Sequence, residues 1–220
     1  TIGIFIGVFA ASKQGTRRGM AITVSSLLTW STPIVFTEMM AVFLSGLLIT
    51  KYGIRIFPTV GETSGGSFST GLGFYADVAW HYSLPIICLV LTGVGQWVLY
   101  TRNMIADTLT QDYMVTARAK GLSERTILFK HSFKGILPLI STMISTSIPA
   151  LITGSMITEE IFGLDGIGRW FIKVVYPSEM GAFPVRFVDP AATQALFFIY
   201  ATLVVILNLI ADLLYGVFDP

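Results

Sequence analysis

A chain of 220 residues that is 53% hydrophobic and only 12% charged, with a mean hydropathy of +0.73, is excluded from the ordinary soluble domains, in which about 25% of residues are charged. Its net charge of +1 says nothing about nucleic acid, and only the placement of the charges informs; no nucleic-acid partner is expected. The one cysteine, Cys88, lies in an apolar run, which rules out an internal disulfide and gives no metal-ligand spacing.

A hydrocarbon core about 30 Å thick asks for roughly 20 apolar residues per helix. Residues 1–11 are apolar but too few. They open on Thr1 with no basic region or cleavage site before them, so they read as the end of a span that starts upstream, not as a signal peptide. Lys13, Arg17 and Arg18 follow in a short loop. Residues 19–50 hold one charge, Glu38, and read as a single tilted or kinked span with Pro33 inside it. Residues 51–81 are polar and rich in Gly and Ser, hence a loop. Three uncharged runs follow, 82–100, 135–158 and 190–211. They are separated by a basic loop at 102–134 and a polar loop at 159–189. Uncharged runs this long are membrane helices, not strands. Trp80, His81 and Tyr82 read as an aromatic belt at the membrane interface. Phe197, Phe198 and Tyr200 read as lipid-facing or packing residues.

The charges orient the chain. Nine basic residues (13, 17, 18, 102, 118, 120, 125, 130 and 134) fall on one side, and five (51, 55, 169, 173 and 186) on the other, with seven acids (62, 77, 159, 160, 165, 179 and 189). The positive-inside rule makes the first side cytoplasmic.

The longest charged stretch is therefore inside the cell: DYMVTARAKGLSERTILFKHSFKGILP, residues 112–138. Residues 113–120 contain neither Pro nor Gly and suit a helix. Gly121 breaks it, and Ser123 can cap a second helix starting near Glu124 by accepting from free first-turn amides. The small residues Ala117, Ala119 and Gly121 leave room for another body to approach. The run Thr116-Ala117-Arg118-Ala119-Lys120-Gly121-Leu122-Ser123-Glu124-Arg125, followed by Leu137-Pro138, resembles the coupling loop of binding-protein-dependent ABC importer permeases, more narrowly the dipeptide, oligopeptide and nickel branch. Val115 stands where the general importer pattern has Glu, and 16 residues, 122–137, separate Gly121 from Pro138.

The resemblance covers essentially the whole chain and carries further expectations. Phe162, Gly166, Gly168 and Arg169 match an external turn of the family, with Asp165 in place of its usual Pro; the turn would help shape the outer gate or a docking face. Residues 176–188 look longer than the family's counterpart. Phe57-Pro58-Thr59-Val60-Gly61, together with Asn208, Asp212 and the Asp219-Pro220 ending, resembles one of two permease subtypes. The fold implied is all-α and polytopic, the transmembrane domain of a type I importer, as a single domain over 1–220 with five spans here and six in the full protein. The function implied is uptake of peptides or a similar solute through a path shared with a homologous second permease. Two ATP-binding subunits would power it, and an external solute-binding protein would supply it. ATP and magnesium would belong to the ATPases, and this chain would bind no cofactor, hold no metal and catalyse no bond chemistry. The location implied is the cytoplasmic membrane of a prokaryote.

Other features weigh less. No G-x-x-x-x-G-K-[ST] pattern is present, and the glycines of 163–168 follow no strand-forming run. His81 has no second histidine on its side, since His131 lies on the other, so a metal site is not expected. Glu38, near mid-span and five residues after Pro33, either lines the translocation path or makes an interhelical hydrogen bond, for instance to Gln96. A secondary transporter coupled to ions through Glu38 is the alternative function; the 116–124 stretch and the lack of visible inverted repeats argue against it. A membrane enzyme would need a clustered His/Asp/Glu constellation, and none is evident.

Overall fold

The computed structural model describes residues 2–65, 71–175 and 190–218. The expected long turn at 176–188, residues 66–70 of the first polar loop and the Asp219-Pro220 ending lie outside them. The described residues form helices and connecting segments: α1 (Ile2–Ser12), α2 (Arg17–Ser31), α3 (Ile34–Tyr52), α4 (Leu72–Thr108), α5 (Asp112–Ala119), the single turn α6 (Glu124–Thr126), a π-helical stretch (Ile127–Ser132), α7 (Phe133–Phe162), α8 (Ile167–Val175) and α9 (Pro190–Phe218). The fold is the all-α, membrane-embedded one expected. Among the described residues four helical stretches are long and apolar enough to cross a bilayer: Ile34–Tyr52, Leu72–Thr108, Glu124–Ile144 and Pro190–Ile210. The remaining expected span is α1, apolar but only 11 residues long.

Four boundaries differ from the sequence reading. Residues 19–50 are not one kinked span but parts of two helices, α2 and α3, interrupted at Thr32-Pro33. Pro33 has no N–H to donate and drives the residue before it out of the helical region, and Thr32 is extended, with ψ 122°. The loop assigned to 51–81 ends early, because α4 begins at Leu72 and runs for 37 residues, about 55 Å at 1.5 Å per residue. It therefore overshoots a 30 Å core, and its ends can carry Asp77 and Arg102 beyond the hydrocarbon. At its other end α4 runs past Arg102 to Thr108, into the loop assigned to 102–134, and α8 (Ile167–Val175) lies within the loop assigned to 159–189.

The residues group into two compact units, one of 1–33, 89–144 and 212–220, the other of 34–88 and 145–211. In the first, α1 lies directly on α4. Gly3 and Gly7, four apart, share one helix face. A Cβ on Gly3 would come 2.5 Å from Trp97 Cβ, and one on Gly7 2.6 Å from Thr101 Cβ. This is the small-xxx-small contact by which membrane helices gain van der Waals packing where lipid removes any hydrophobic drive. Ile4, Val8, Ala11, Ile105, Leu128, Ile136 and Ile140 complete that core.

In the second unit the core is Leu84, Cys88, Phe162 and Leu164, with Ala41, Val42, Phe57, Tyr82 and Ile161 against it. Glu38 of α3 is fully buried, and its Oε1 accepts from Thr158 Oγ1 of α7 at 2.6 Å. The aromatic trio of α4 is tied by its polar atoms. Trp80 Nε1 donates to Ile56 O at 2.9 Å, His81 is buried with Nδ1 2.8 Å from Asp77 O, and Tyr82 donates to Glu62 Oε1 at 3.1 Å. Asp77 in turn accepts from Ser64 N and Ser64 Oγ. Trp80, Tyr82 and Asp77 thus anchor the preceding loop onto α4, which hydropathy alone does not reveal. Phe198 and Asp212 of α9 are exposed.

Candidate functional site

The stretch singled out in the sequence folds as a helical hairpin. Helix α5 stops at a glycine-terminated Schellman end. Gly121 takes φ +76°, its N–H reaches Arg118 O at 2.9 Å, and Leu122 N–H reaches Ala117 O at 3.3 Å. That left-handed conformation is open to glycine at little cost and disfavoured for any residue with a Cβ. Ser123 then caps the return helix, accepting from Thr126 N–H at 3.3 Å, as its position before Glu124 predicts.

Inside the hairpin sits a small core of its own: Met114, Ala117 and Ile127, with Leu109 against them. Leu109 also packs against the membrane core of its unit, and Leu128, the residue after Ile127, belongs to that second core. Consecutive side chains of the π-helical stretch therefore enter two different cores. A second link is Tyr113, whose hydroxyl would stand 2.9 Å from a Cβ placed on Gly135 of α7. The hairpin is thus packed to the spanning helices at both of its arms.

The predicted contact residues divide on this geometry. Thr116, Arg118, Ala119, Lys120, Gly121, Leu122, Ser123 and Glu124 are exposed, and around Gly121 there is open space for 4 Å. Ala117, expected as a point of approach, is only 8% exposed and fills the hairpin core instead. Arg118 is turned back on the chain, with Nε donating to Glu124 Oε1 at 3.0 Å and Nη1 to Leu109 O at 3.4 Å. Lys120 makes no ion pair among the described residues.

The 159–173 turn is built on the other unit, and it too opens with a Schellman end. Gly163 takes φ +65°, its N–H reaches Glu160 O at 3.3 Å, and Leu164 N–H reaches Glu159 O at 2.9 Å. Gly166 and Gly168 have no positive φ; they provide space. A Cβ on Gly166 would strike the Glu159 carboxylate, and one on Gly168 would strike Cα of Met156. The Glu159 carboxylate accepts from Arg169 N–H at 2.9 Å, at the start of α8, where negative charge and free amides attract. Arg169 Nη1 donates to Gly163 O at 2.9 Å and Asp165 Oδ1 at 3.1 Å, and its Nε lies 3.5 Å from Glu160 Oε2. Glu62 closes the arrangement, accepting from Asp165 N–H at 2.7 Å as well as from Tyr82, while Gly61 N–H donates to Phe162 O at 2.8 Å. Sequence reasoning named Phe162, Gly166, Gly168 and Arg169 but missed Glu62, Glu159 and Gly163. No short-range signal connects Glu62 to Asp165, which follows about a hundred residues later.

Of the two polar residues assigned to a path, Glu38 bonds Thr158, and its Oε2 has no hydrogen-bond partner among the described residues. Gln96 lies on the part of α4 that belongs to the other unit. Among the described residues no group of three or more His, Cys, Asp or Glu could hold a metal ion.

Nearly the whole of this sequence matches one known family. The model for binding-protein-dependent transport system inner membrane components matches residues 3–220. The chain is 30% identical to the oligopeptide transport system permease protein OppB of Mycobacterium tuberculosis, over 99% of this chain and 64% of the relative. It is 32% identical to the oligopeptide transport system permease protein AppB of Bacillus subtilis, over 100% and 63%. It is 30% identical to the dipeptide transport system permease protein DppB of Escherichia coli, over 100% and 65%. The chain thus spans a little under two-thirds of the length of these relatives.

Proposed function

Starting from the fact that the chain belongs to the family of binding-protein-dependent transport system inner membrane components, we propose that it is the permease subunit of an ATP-driven importer for peptides or a similar solute. It forms half of a translocation path with a homologous second permease. Two ATP-binding subunits hold the ATP and magnesium, an external solute-binding protein delivers the solute, and this chain itself catalyses no bond chemistry. The names of the relatives support the solute class.

The observation that carries the mechanism is the two-core hairpin. Force passes between bodies only through close packing, because packed interiors yield little. The exposed tip around Gly121 is the part a partner can grip. The Met114–Ala117–Ile127 core makes the hairpin one body, and Leu109, Leu128 and the Tyr113–Gly135 contact join that body to the spanning helices. A push on the tip therefore reaches α4 and α7 without first being absorbed in a soft linker. Glu38 and Gln96 are assigned to the path: Glu38 spends one oxygen on Thr158, and its Oε2 has no partner among the described residues. The 159–173 turn, with Phe162, Gly166, Gly168 and Arg169, is assigned to the outer face.

Two experiments test this. The complete complex carrying Gly121→Trp, purified by a tag on this subunit, should lose its ATPase subunits or lose uptake in proteoliposomes. Full retention of both would remove the hairpin from coupling. Cysteines introduced at Ser123, Ser67 and Gly181 should react from the cytoplasm for the first and from outside for the other two; the reverse pattern would invert the orientation.

A further inference from the structure

Beside the hairpin the first unit has a cleft of about 440 Å³, within the roughly 300–1,000 Å³ typical of small-molecule sites. Lys13 and Arg125, both in its wall, belong to the nine basic residues that the charge asymmetry assigns to the cytoplasm, so the cleft opens to cytoplasmic solutes. Three kinds of surface line it. Phe9, Leu128 and Phe129 are apolar, and Phe9 and Phe129 are 48% and 53% exposed, so this wall is open and not sealed into the core. Lys13 and Arg125 are cations, and neither makes an ion pair among the described residues. Glu124 is the one acid, held at 3.0 Å by Arg118 in an exposed pair.

A simple anion would use the two cations and meet Glu124 as a like charge. A short peptide with free termini uses all three surfaces, because it carries a carboxylate, an ammonium and apolar side chains on one small frame. Exposed ion pairs are weak, so an ammonium can compete with Arg118 for Glu124. We propose that the cleft is a cytoplasmic site for such a peptide, with its carboxylate between Lys13 and Arg125, its ammonium on Glu124 and an apolar side chain against Phe9, Leu128 and Phe129. The inference rests on the peptide-importer reading and gives it a regulator, the imported product. Glu124 stands at the tip that a partner grips, and drawing it away from Arg118 changes the charges that the tip presents. Leu109 and Leu128 line the cleft and also belong to the joint between hairpin and spanning helices. An occupied cleft therefore alters tip and joint together, and accumulated product slows further uptake.

The test uses the complete transporter in nanodiscs, ATPase subunits bound, and a dipeptide of photoactivatable leucine. Cross-links should map to the segments that hold Phe9 and Phe129. Lys13→Gln, in a loop outside the hairpin, should label about tenfold more weakly, as loss of one charge-assisted contact predicts, with unchanged thermal unfolding. Leucyl-leucine should compete; its C-terminal amide and its N-acetyl form, each lacking one terminal charge, should compete far less. Labelling confined to other segments, equal labelling of wild type and Lys13→Gln, or equal competition by the amide overturns the proposal. So does competition by inorganic phosphate at the same concentration, which would make this a plain anion site. Labelling seen only after the ATPases are stripped away would mean that a protein surface fills the cleft, and overturns it too. Feedback is read separately, as ATP-driven uptake of the dipeptide into proteoliposomes preloaded with leucyl-leucine. Preloading should slow the wild type about threefold, the size of effect one contested exposed ion pair supports, and leave Lys13→Gln unaffected; equal slowing of both overturns the regulatory role. A labelled cleft without uptake in any protein would sink the peptide-importer reading and leave the site standing, whereas normal uptake with an unlabelled cleft would do the reverse.

Discussion

Two helices in this molecule end in the same way, at Gly121 and at Gly163, with the same pair of backbone hydrogen bonds and nearly the same φ. What surrounds the two glycines is opposite. A Cβ on Gly121 would meet no described atom within 4 Å, and the order of the segment comes from an apolar core one turn away. Around Gly163 the chain is crowded, with Val60 Cγ1 2.7 Å from where a Cβ would be, and the order comes from carboxylates and Arg169. The same local solution thus serves one turn whose tip is left bare and another whose tip is locked against its own unit. A bare tip on a rigid base is what a partner-binding knuckle needs; a locked one is what a fixed outer surface needs.

The largest expected effect breaks the bare tip. Gly121→Trp should lower uptake at least about tenfold, equivalent to about 1.4 kcal/mol of lost coupling, while the melting temperature of the isolated subunit moves only by the backbone strain. That strain, about 1–2 kcal/mol for a left-handed non-glycine residue, is read separately by Gly121→Ala, since the added methyl meets no atom. Gly168→Ala should do the reverse. Its methyl strikes a backbone atom of α7 that cannot swing aside, so a loss of about 1–3 kcal/mol in unfolding stability is expected, with ATPase co-purification intact. If Gly168→Ala released the ATPases and left stability alone, the contrast between the turns would be wrong.

Two smaller effects sharpen the picture. Glu38→Gln and Thr158→Val separate the path from the tie. The glutamine keeps an acceptor for Thr158 and loses only the carboxylate, so a path role predicts altered solute-stimulated ATPase activity in Glu38→Gln with near-normal stability. Thr158→Val removes the bond and should cost about 0.5–1.5 kcal/mol of stability. Unchanged transport in Glu38→Gln at equal expression would leave Glu38 as a packing residue. Smallest is Lys120→Ala, which removes one exposed charge and should weaken ATPase binding by about 0–1 kcal/mol, measured by titrating the ATPases onto the permease.

Much of the hairpin is legible in the sequence because its determinants are local. Gly121 as a breaker and Ser123 as a cap act over three or four residues, and the structure has both, with α5 ending at Ala119 and α6 starting at Glu124. The direction of Ala117 is not legible. A small residue is compatible with a contact surface and with a tight core alike, and only the position of Ile127 across the turn decides between them. The break at Pro33 is visible as a proline, but the sequence does not separate a kink from a break. Whether a membrane helix bends or parts at proline depends on what packs around it, and here Thr32 is extended. The Gly3-x-x-x-Gly7 spacing is present in the sequence too, yet it states only that some helix can approach closely, without saying which.

Composition, the run lengths and the charge asymmetry determined by themselves that this is a helical membrane protein with a basic hairpin between two spans, and the 116–124 pattern determined its family. These properties are sums or short patterns, and water, lipid and backbone geometry act on them one segment at a time. Only the tertiary structure decided that Glu62 holds the 159–173 turn, that Glu38 bonds Thr158, that Leu109 belongs to two cores and that Lys13 and Arg125 share a cleft. Each of these joins residues far apart in the chain, and such pairings are selected by the packing of whole helices, which no short window of sequence contains.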